Sequence, residues 1–529
     1  MERRPVERVR GTQDLWPAEA RQLHAVRRRL ERAFAHAGYR PVDVPVLEPA
    51  ELHLRKSGLE IISKLYAFDD LGGRRLCLRP ELTASVVRAF VAQPAARLPA
   101  KVYSSGPVFR YERPSKGRYR QFTQAGVELI GASGPLADAE AIGLAADALT
   151  GLGLRDFRVV VGHVGILSEL LSKLGLSGRL RAQLMDSLEP ARRHGLAAVR
   201  AGLRELDPEL FEPRPATSPD APALPPPDGP PEGPPDGPPE GPPDGPPEAR
   251  AGQVRVATAG LLGQLGADSL GRRSESEVVE RLLRKLEPEA SRRAADRALD
   301  FIAALGAVRG APDEALAAGR RLLREYGLEA APLEGLEETV GLLDGFGVDL
   351  DHLQIDLGLS RGLQYYTGMV FEIDHGGLGT ESQLCGGGRY DDLFRALGGR
   401  TPLAALGFAF GVERVRLALV AEGVKLDAAP VADVLVVPAG VAQAGYAGRV
   451  AKAIRLAGRR ADLDVTGRSL RAALAYADRE GYPAVAVVGA AEAEAGTVRL
   501  RDMVAGIERT APLGAAGGLW ADAAGEDGA

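Results

Sequence analysis

Two runs rich in valine, tyrosine, phenylalanine, threonine and isoleucine, Lys101 to Phe109 and Gln121 to Ile130, flank a Pro/Gly turn that carries five cations: Arg110, Arg113, Lys116, Arg118 and Arg120. Each run reads as a strand. A strand, a tight basic turn and a return strand close as an antiparallel hairpin, so the chain must contain a sheet built outward from this pair. The five cations face one acid, Glu112, and arginine forks suit phosphate and carboxylate oxygens bidentately. A charged turn of this kind is also what a merely solvated hairpin shows. Gln124 and Glu128 shift the reading, because they share one strand face among apolar neighbours, and polar groups turned toward a core need a partner there.

The 529 residues suffice for two or three domains, and 45% hydrophobic with 26% charged is ordinary for a globular chain. A net charge of −5 gives no global field that would recruit nucleic acid, so any RNA contact must use local basic surfaces. Cys77 and Cys385 are the only cysteines, and with seven scattered histidines they form neither CxxC nor HxxxH spacing. That excludes a disulfide scaffold and a structural zinc site, and suits a reducing cytoplasm. The first ten residues lack the apolar stretch of a signal peptide, and no apolar run reaches the roughly 18 residues of a membrane span.

Along the chain, Leu23, Val26, Leu30, Ala33 and Phe34 recur at helical spacing between Pro17 and His36, followed by a turn and a strand-like Val42 to Leu47. Leu76 to Leu78 then leads through Pro80 into a helix near Val86 to Phe90. Here Glu81 and Thr83 are candidate ligand groups, and equally the acid and hydroxyl that a helix start favours. Residues 213–249 cannot build a core: Pro225 to Glu248 repeats Pro-Pro-Asp/Glu-Gly with regularly spaced acids. This reads as a disordered or semi-extended spacer reaching at most about 70 Å. Helical patterns return at Glu275 to Leu286 and Ser291 to Leu305. Asp356 to Ile373 and Gln383 to Arg389 read as strands, and Leu406 to Glu422 as a buried strand running into a helix. After a joint at Lys425 to Ala429, strands at Asp433 to Pro438, Ala461 to Val465 and Ala484 to Val488 alternate with helices, which implies a small, mostly parallel or mixed sheet. Arg449, Lys452, Arg455, Arg459 and Arg460 mark a candidate basic edge there.

Three further stretches carry chemistry. Ser360 to Glu372 places Arg361 before a glycine turn and puts Tyr365 and Tyr366 inside a strand, where only one of them can serve the core face. Leu384 to Asp391 runs three glycines into Arg389 and Tyr390, and Gly407 to Arg414 is a Gly-x-x-x-Gly pattern ending in an arginine. Glycine runs let a backbone approach a ligand, and are also plain turns.

The hairpin, with its Phe-Arg-Tyr-Glu-Arg-Pro, Gly-Arg-Tyr-Arg-Gln-Phe and Gly-Val-Glu, resembles motif 2 of class II aminoacyl-tRNA synthetases in the histidyl-tRNA synthetase version. The opening helix, turn and strand resemble motif 1, the dimer-interface element, and Gly407 to Arg414 resembles motif 3. Arg361 to Tyr366 and Leu384 to Asp391 resemble the two histidine-specific signatures, with Gln364 where Asp is frequent. The last block, through Thr466 to Leu470 and Tyr476 to Asp478, resembles the anticodon-binding domain of that family.

The resemblance implies an α+β catalytic core with an antiparallel sheet, residues 1–170 and 340–424, an insertion region 171–339 containing the spacer, and a C-terminal α/β anticodon-binding-type domain at 430–520. It implies ATP-dependent ligation of L-histidine to tRNA(His) through a histidyl-adenylate, with Mg²⁺ expected, in a cytoplasmic homodimer that is not a membrane protein. In that scheme Arg110 and Arg361 are catalytic and clamp the α-phosphate and the carboxylate, while Arg118 and Arg414 hold the outer phosphates or nucleotide. Glu81, Thr83 and Gln124 bind the α-amino group, Glu128 and Tyr366 take the two imidazole nitrogens, and Tyr390 completes the wall. The rival is a noncatalytic histidine-sensing paralogue, the regulatory subunit of ATP phosphoribosyltransferase, which usually lacks the last domain and has eroded phosphate-gripping motifs.

Overall fold

The structure, a computed structural model, describes residues 6–57, 64–93, 97–206, 292–359, 365–426 and 432–515. The spacer at 213–249, the helix expected at Glu275 to Leu286, and Arg361 with Gln364 lie outside them. Two compact units emerge: residues 6–14 with 23–425, and residues 15–22 with 426–515.

The first unit is organised by a nine-stranded sheet. Its strands are β1 (Arg40–Pro41), β5 (Ala100–Phe109), β6 (Gln121–Ile130), β12 (Ala405–Gly411), β11 (Gln383–Arg389), β10 (Met369–Asp374), β7 (Arg158–His163), β9 (Leu353–Asp356) and β8 (Arg309–Gly310), in that spatial order. Only β1 with β5 and β7 with β9 run parallel; the six other pairings are antiparallel. The hairpin β5–β6 pairs without interruption from Ala100 opposite Ile130 to Phe109 opposite Gln121. A smaller antiparallel sheet orders β2 (Leu47–Pro49), β4 (Arg75–Leu78) and β3 (Tyr66–Asp69).

One face of the large sheet is aromatic. Phe408 and Phe410 of β12 stand opposite Val127 and Ala125 of β6, and Phe34 from the first helix, α1 (Pro17–His36), packs its ring 5.9 Å from Phe408 and 6.3 Å from Phe410. Leu23, Val26, Leu30 and Phe34, the stripe visible in the sequence, are the buried positions of α1. Truncating Phe34 to alanine would cost about 3–5 kcal/mol.

The strand expected at Val42 to Leu47 does not form. Pairing stops after β1 and resumes at β2, because Pro45 offers no N–H and the carbonyls of Val44 and Pro45 are taken by a side chain. The buried Arg79 guanidinium donates to Val44 O at 2.6 Å, Pro45 O at 3.2 Å and Pro107 O at 3.0 Å. Three main-chain oxygens that a ladder would have used are satisfied by one arginine. The tyrosine pair is likewise not inside a strand, since β10 begins at Met369. Released from alternation, Tyr365 and Tyr366 lie ring against ring, 4.4 Å apart.

The second unit carries a five-stranded sheet. Its order is β14 (Ala461–Leu463), β13 (Val434–Pro438), β15 (Ala484–Val488), β16 (Thr497–Asp502) and β17 (Glu508–Pro512). The first three are parallel, as the alternating pattern suggested, and the final pair adds an antiparallel hairpin. The continuous Val434 to Val437 run follows from burial on both faces. Val434 and Val436 meet Ala447, Val450 and Ile454 of the helix Ala444–Leu456, while Leu435 and Val437 meet Ala473 and Ala477 of Leu470–Arg479.

Candidate active site

The face of the large sheet opposite the aromatic one is nearly bare. Cross-strand partners share a face, so Gly388, Gly407, Glu128 and Val102 form one row, Glu372, Gly386, Ala409, Gly126 and Ser104 the next, and Gly411, Gln124 and Gly106 a third. This floor of small residues is an absence of side chains that the topology has aligned. Two positions enforce it. A Cβ on Gly407 would overlap the Glu128 carboxylate and the Val127 carbonyl, and one on Gly126 would overlap the Phe408 carbonyl. The signal was present in the sequence as glycines at even spacing, and reading them as turns concealed it.

Over the floor stand Gln124 and Glu128, four residues apart on β6 and thus separated by roughly 13 Å. Both are buried. The Glu128 carboxylate accepts the hydroxyl of Tyr390. Burial, then the Glu128 charge and that hydrogen bond, push the Tyr390 hydroxyl far above its ordinary value, so it remains a donor. A carboxylate offers about four lone-pair sites, so Glu128 keeps acceptor capacity beyond Tyr390. The Tyr365 ring meets Tyr390 edge-on at 5.9 Å, and the Tyr365 hydroxyl donates to that of the half-buried Tyr366 at 3.2 Å. Gln124 Oε1 is buried with no hydrogen-bond partner among the described residues, a state that a bound donor would relieve.

Glu81 and Thr83 open the helix α2 (Thr83–Val91). The Glu81 carboxylate accepts the Thr83 N–H at 3.0 Å and the Ala84 N–H at 2.9 Å. It thereby caps a helix whose own N-cap, Leu82, makes no side-chain bond. The helix-start role foreseen for Glu81 is realised, and it fixes the carboxylate in place. Val87 of α2 shares a cluster with Tyr365, Tyr390 and Ile130, which brings the Glu81–Thr83 corner to the tyrosine side of the floor.

At the hairpin tip the cations sort themselves. Arg110 donates from Nε to Pro80 O at 3.0 Å and lies over the Phe122 ring at 5.3 Å. Arg118 pairs through Nε with Glu112 at 2.6 Å and through Nη1 with Glu381 at 3.6 Å. Burial works to raise the Glu112 carboxyl, yet the Arg118 hydrogen bond and the charges of Arg110, Arg118 and Lys64 hold it below the usual carboxylate range. Arg120 bonds Glu112 O at 3.1 Å and stacks on Tyr111 at 4.3 Å. Arg113 and Lys116 are exposed.

Arg414 reaches the same tip from the first turn of the helix Val412–Ala421. Its Nε donates to Gly117 O at 2.8 Å, Nη1 to Gln383 O at 3.0 Å and Nη2 to Glu381 at 2.6 Å. The neighbouring Glu413 is buried, accepts the Thr123 N–H at 2.9 Å on both oxygens, and thereby ties this helix to the start of β6. Arg79, Glu112, Glu381 and Glu413 escaped the sequence reading as organisers of the site. For Arg79 there was a signal, its shared parity with the buried Cys77 on an apolar run. For Glu112 the signal was its place as the one acid among the five cations, with Arg118 six residues on; for Glu381 and Glu413 there was none, because their partners Ser115 and Thr123 are distant in sequence.

In the second unit the proposed basic edge is divided. Arg449 lies over the Tyr446 ring at 5.1 Å, Arg455 bonds Ala461 O at 2.9 Å, and Arg460 pairs with Asp433 at 2.6 Å. A second aromatic anchor, Tyr476, carries Arg468 at 4.1 Å and Arg479 at 5.5 Å.

The family pattern described as histidyl-tRNA synthetase matches residues 11–212 and 248–415, and one described as anticodon binding domain matches residues 433–516. The chain is 32% identical over 512 residues to a histidine–tRNA ligase of Pyrococcus abyssi (strain GE5 / Orsay), covering 96% of this chain and 97% of the relative. It is 33% identical over 509 residues to that of Thermococcus kodakarensis, covering 96% of each. Among solved structures, the apo histidyl-tRNA synthetase of S. aureus superposes with a TM-score of 0.61 at 24% identity, over 97% of this chain and 99% of that one, a likeness of fold. With its core and its C-terminal unit both matched, the chain belongs to the histidyl-tRNA synthetase family.

Proposed function

We propose that this protein ligates L-histidine to tRNA(His) at the expense of ATP, through a histidyl-adenylate, releasing AMP and diphosphate. The observation that carries this reading is Glu128, buried on a glycine floor, tied to Tyr390 and set one strand's length from an arginine cluster. Neutral imidazole offers one donor and one acceptor. In this proposal Glu128 takes the imidazole N–H while Tyr366 donates to the other nitrogen, and Tyr390 holds the Glu128 carboxylate. An apolar analogue would leave these groups buried and unpaired, a discrimination of about 10⁴.

In the first step the histidine carboxylate attacks the α-phosphorus and diphosphate departs. In the second a terminal ribose hydroxyl of tRNA attacks the acyl carbon and AMP departs. Neither needs a covalent enzyme nucleophile, so the protein contributes positioning and charge neutralisation. We assign Arg110 to the α-phosphate, Arg361 to the same clamp from the sequence alone, and Arg118 and Arg414 to the outer phosphates. Glu81, Thr83 and Gln124 receive the α-amino group, whose N–H would satisfy the orphaned Gln124 oxygen. Mg²⁺ usually binds one or two carboxylates together with substrate phosphates, and Glu112, kept ionised by its arginine neighbours, fits such a ligand. The ion would supply neutralisation of the leaving diphosphate.

The C-terminal unit at 430–520 is proposed to read tRNA(His), the core at 1–170 and 340–424 to perform the chemistry, and 171–339 to be an insertion. A cytoplasmic homodimer completes the proposal, the dimer through the motif 1 elements. No described helix is long and apolar enough to cross a membrane. The regulatory paralogue is disfavoured by the presence of the anticodon-type domain and by the phosphate-facing arginines Arg110, Arg118 and Arg414. Histidine-dependent exchange of pyrophosphate into ATP by purified protein is the test. Its absence in active-site-intact protein would overturn the catalytic reading.

A further inference from the structure

Arg118 and Arg414, the two arginines assigned to the outer phosphates, already share an anion. The Glu381 carboxylate, carried on the short helical turns Gly376–Glu381, meets Arg414 Nη2 at 2.6 Å through Oε2 and Arg118 Nη1 at 3.6 Å through Oε1. Ser115 Oγ, on the hairpin turn, faces Oε1 at 3.5 Å. The Arg414 fork cannot turn elsewhere, because Nε and Nη1 are spent on the main-chain oxygens of Gly117 and Gln383. Only its Nη2 edge is offered to an anion, and Glu381 occupies that edge.

A carboxylate bridging two guanidiniums has the charge sign and fork geometry of a phosphate bridging them. Once a nucleotide triphosphate arrives, the same place would hold phosphate oxygens and a carboxylate together, and like charges within a few ångströms in a partly dry site repel strongly. Burial adds to this. Arg414 is largely enclosed, its pKa drawn down by burial with Glu381 opposing, so on the Arg414 side of the seat solvent screens the conflict poorly, while Arg118 stays exposed.

We infer that Glu381 is a resident competitor for the outer-phosphate seat: it holds Arg118 and Arg414 in place while the site is empty and must leave them for ATP to bind. The inference rests on the assignment of Arg118 and Arg414 to phosphate, and it makes Glu381 a residue that sets ATP affinity without being a ligand of ATP.

Glu381→Gln tests it, since the amide keeps the shape and removes the charge. The affinity for ATP, measured by calorimetry without Mg²⁺ or histidine, should rise about tenfold, the worth of one charge-assisted contact no longer surrendered. The KM for ATP in pyrophosphate exchange should fall in parallel, and the KM for histidine should stay within about twofold. Glu381→Asp, which retains the charge on a shorter arm, should bind ATP with an affinity between those of the parent and the glutamine variant. Unchanged ATP affinity in Glu381→Gln overturns the inference, because then no competition exists. Weakened ATP affinity also overturns it, and would make Glu381 a support for the arginines or a metal ligand. Inorganic pyrophosphate as the probe separates this from the larger proposal. If the parent protein shows no histidine-dependent exchange while Glu381→Gln still binds pyrophosphate about tenfold more tightly, the anion seat stands and the proposed reaction falls.

Discussion

The two ends of β6 hold their polar groups in opposite ways. At the Glu128 end a single carboxylate is sunk into the sheet, bonded to the fully buried Tyr390 hydroxyl, whose ring clusters with Tyr365 and Ile130. At the Gln121 end, several arginines gather where the hairpin tip, the turn ending at Glu381 and the helix start meet, and each is held by a main-chain oxygen or an acid. The difference follows from what each end is proposed to bind. A neutral imidazole must be recognised by shape and hydrogen-bond sense, which demands buried, fixed groups with high stakes if unpaired. A triphosphate brings so much charge that the protein's task is to keep cations together when no phosphate is present, and acids such as Glu112 and Glu381 perform it. Fixed polarity at one end and exchangeable charge at the other should respond differently to substitution.

The largest effect should come from the buried end. Glu128→Ala removes a charge-assisted hydrogen bond and strands the Tyr390 hydroxyl, about 1.5–3 kcal/mol. The KM for histidine should rise at least tenfold with the KM for ATP little changed, and the melting temperature should drop. Glu128→Gln sharpens the contrast, because its amide oxygen still accepts from Tyr390, so stability should recover while histidine recognition does not. An unaltered histidine KM in the alanine variant removes Glu128 from the imidazole pocket.

A second effect of the same kind lies in His163, on β7 opposite Met369. Burial, then the charge of Arg389, lower its pKa from 6.5 to about 4, and its Nδ1 is buried without a described partner. Between those values the unfolded chain binds a proton that the folded chain does not. Stability from this group is therefore complete above about pH 6.5 and is lost as pH falls toward about 4, a contribution of roughly 3 kcal/mol. His163→Gln should narrow the difference in urea midpoint between pH 7 and pH 4.5. An identical acid sensitivity in both proteins means that His163 is protonated in the fold.

At the charged end Arg414→Ala should raise the KM for ATP about tenfold, near 1.4 kcal/mol, with histidine KM steady. Lysine should rescue little, because one ammonium cannot meet Gly117 O, Gln383 O and an anion with the planar fork of arginine. A full rescue by lysine would show that charge alone, not the clamped fork, serves this position.

How far the sequence led depended on whether a feature is local. The hairpin was legible nearly to the residue, Lys101 to Phe109 against Ala100–Phe109 and Gln121 to Ile130 in full, because β-branched and aromatic residues flank a turn that only Pro and Gly suit. The stripe of α1 and the alternating C-terminal block were legible for the same reason. Two local readings failed where side chains overrode the backbone pattern. Arg79 took the carbonyls that a strand at Val42 to Leu47 needed, and the tilted Tyr365–Tyr366 ring pair formed ahead of β10. The glycine floor was hidden differently: Gly388, Gly407 and Gly126 acquire meaning only when register places them side by side. Glu381 was invisible, since its contacts with Ser115 and Arg118 span more than 260 residues and leave no periodicity.

The smallest expected effect divides the five cations of the hairpin turn, which the sequence could only count. Arg110, Arg118 and Arg120 are each fixed by a carbonyl, an acid or an aromatic face, whereas Arg113 and Lys116 are exposed with no hydrogen bond or ion pair to a described residue. A long, unanchored side chain must be ordered before it can grip a phosphate, and that entropy cancels most of the attraction available in water. Arg113→Ala and Lys116→Ala should therefore each raise the KM for ATP less than about threefold, near 0.5 kcal/mol. The residual effect should vanish near 1 M salt, where the screening length is about 3 Å, while the Arg414→Ala defect persists because its contacts are buried. A tenfold loss from Arg113→Ala, undiminished by salt, would place this arginine among the fixed ones and erase the distinction between held and unheld charge at the hairpin tip.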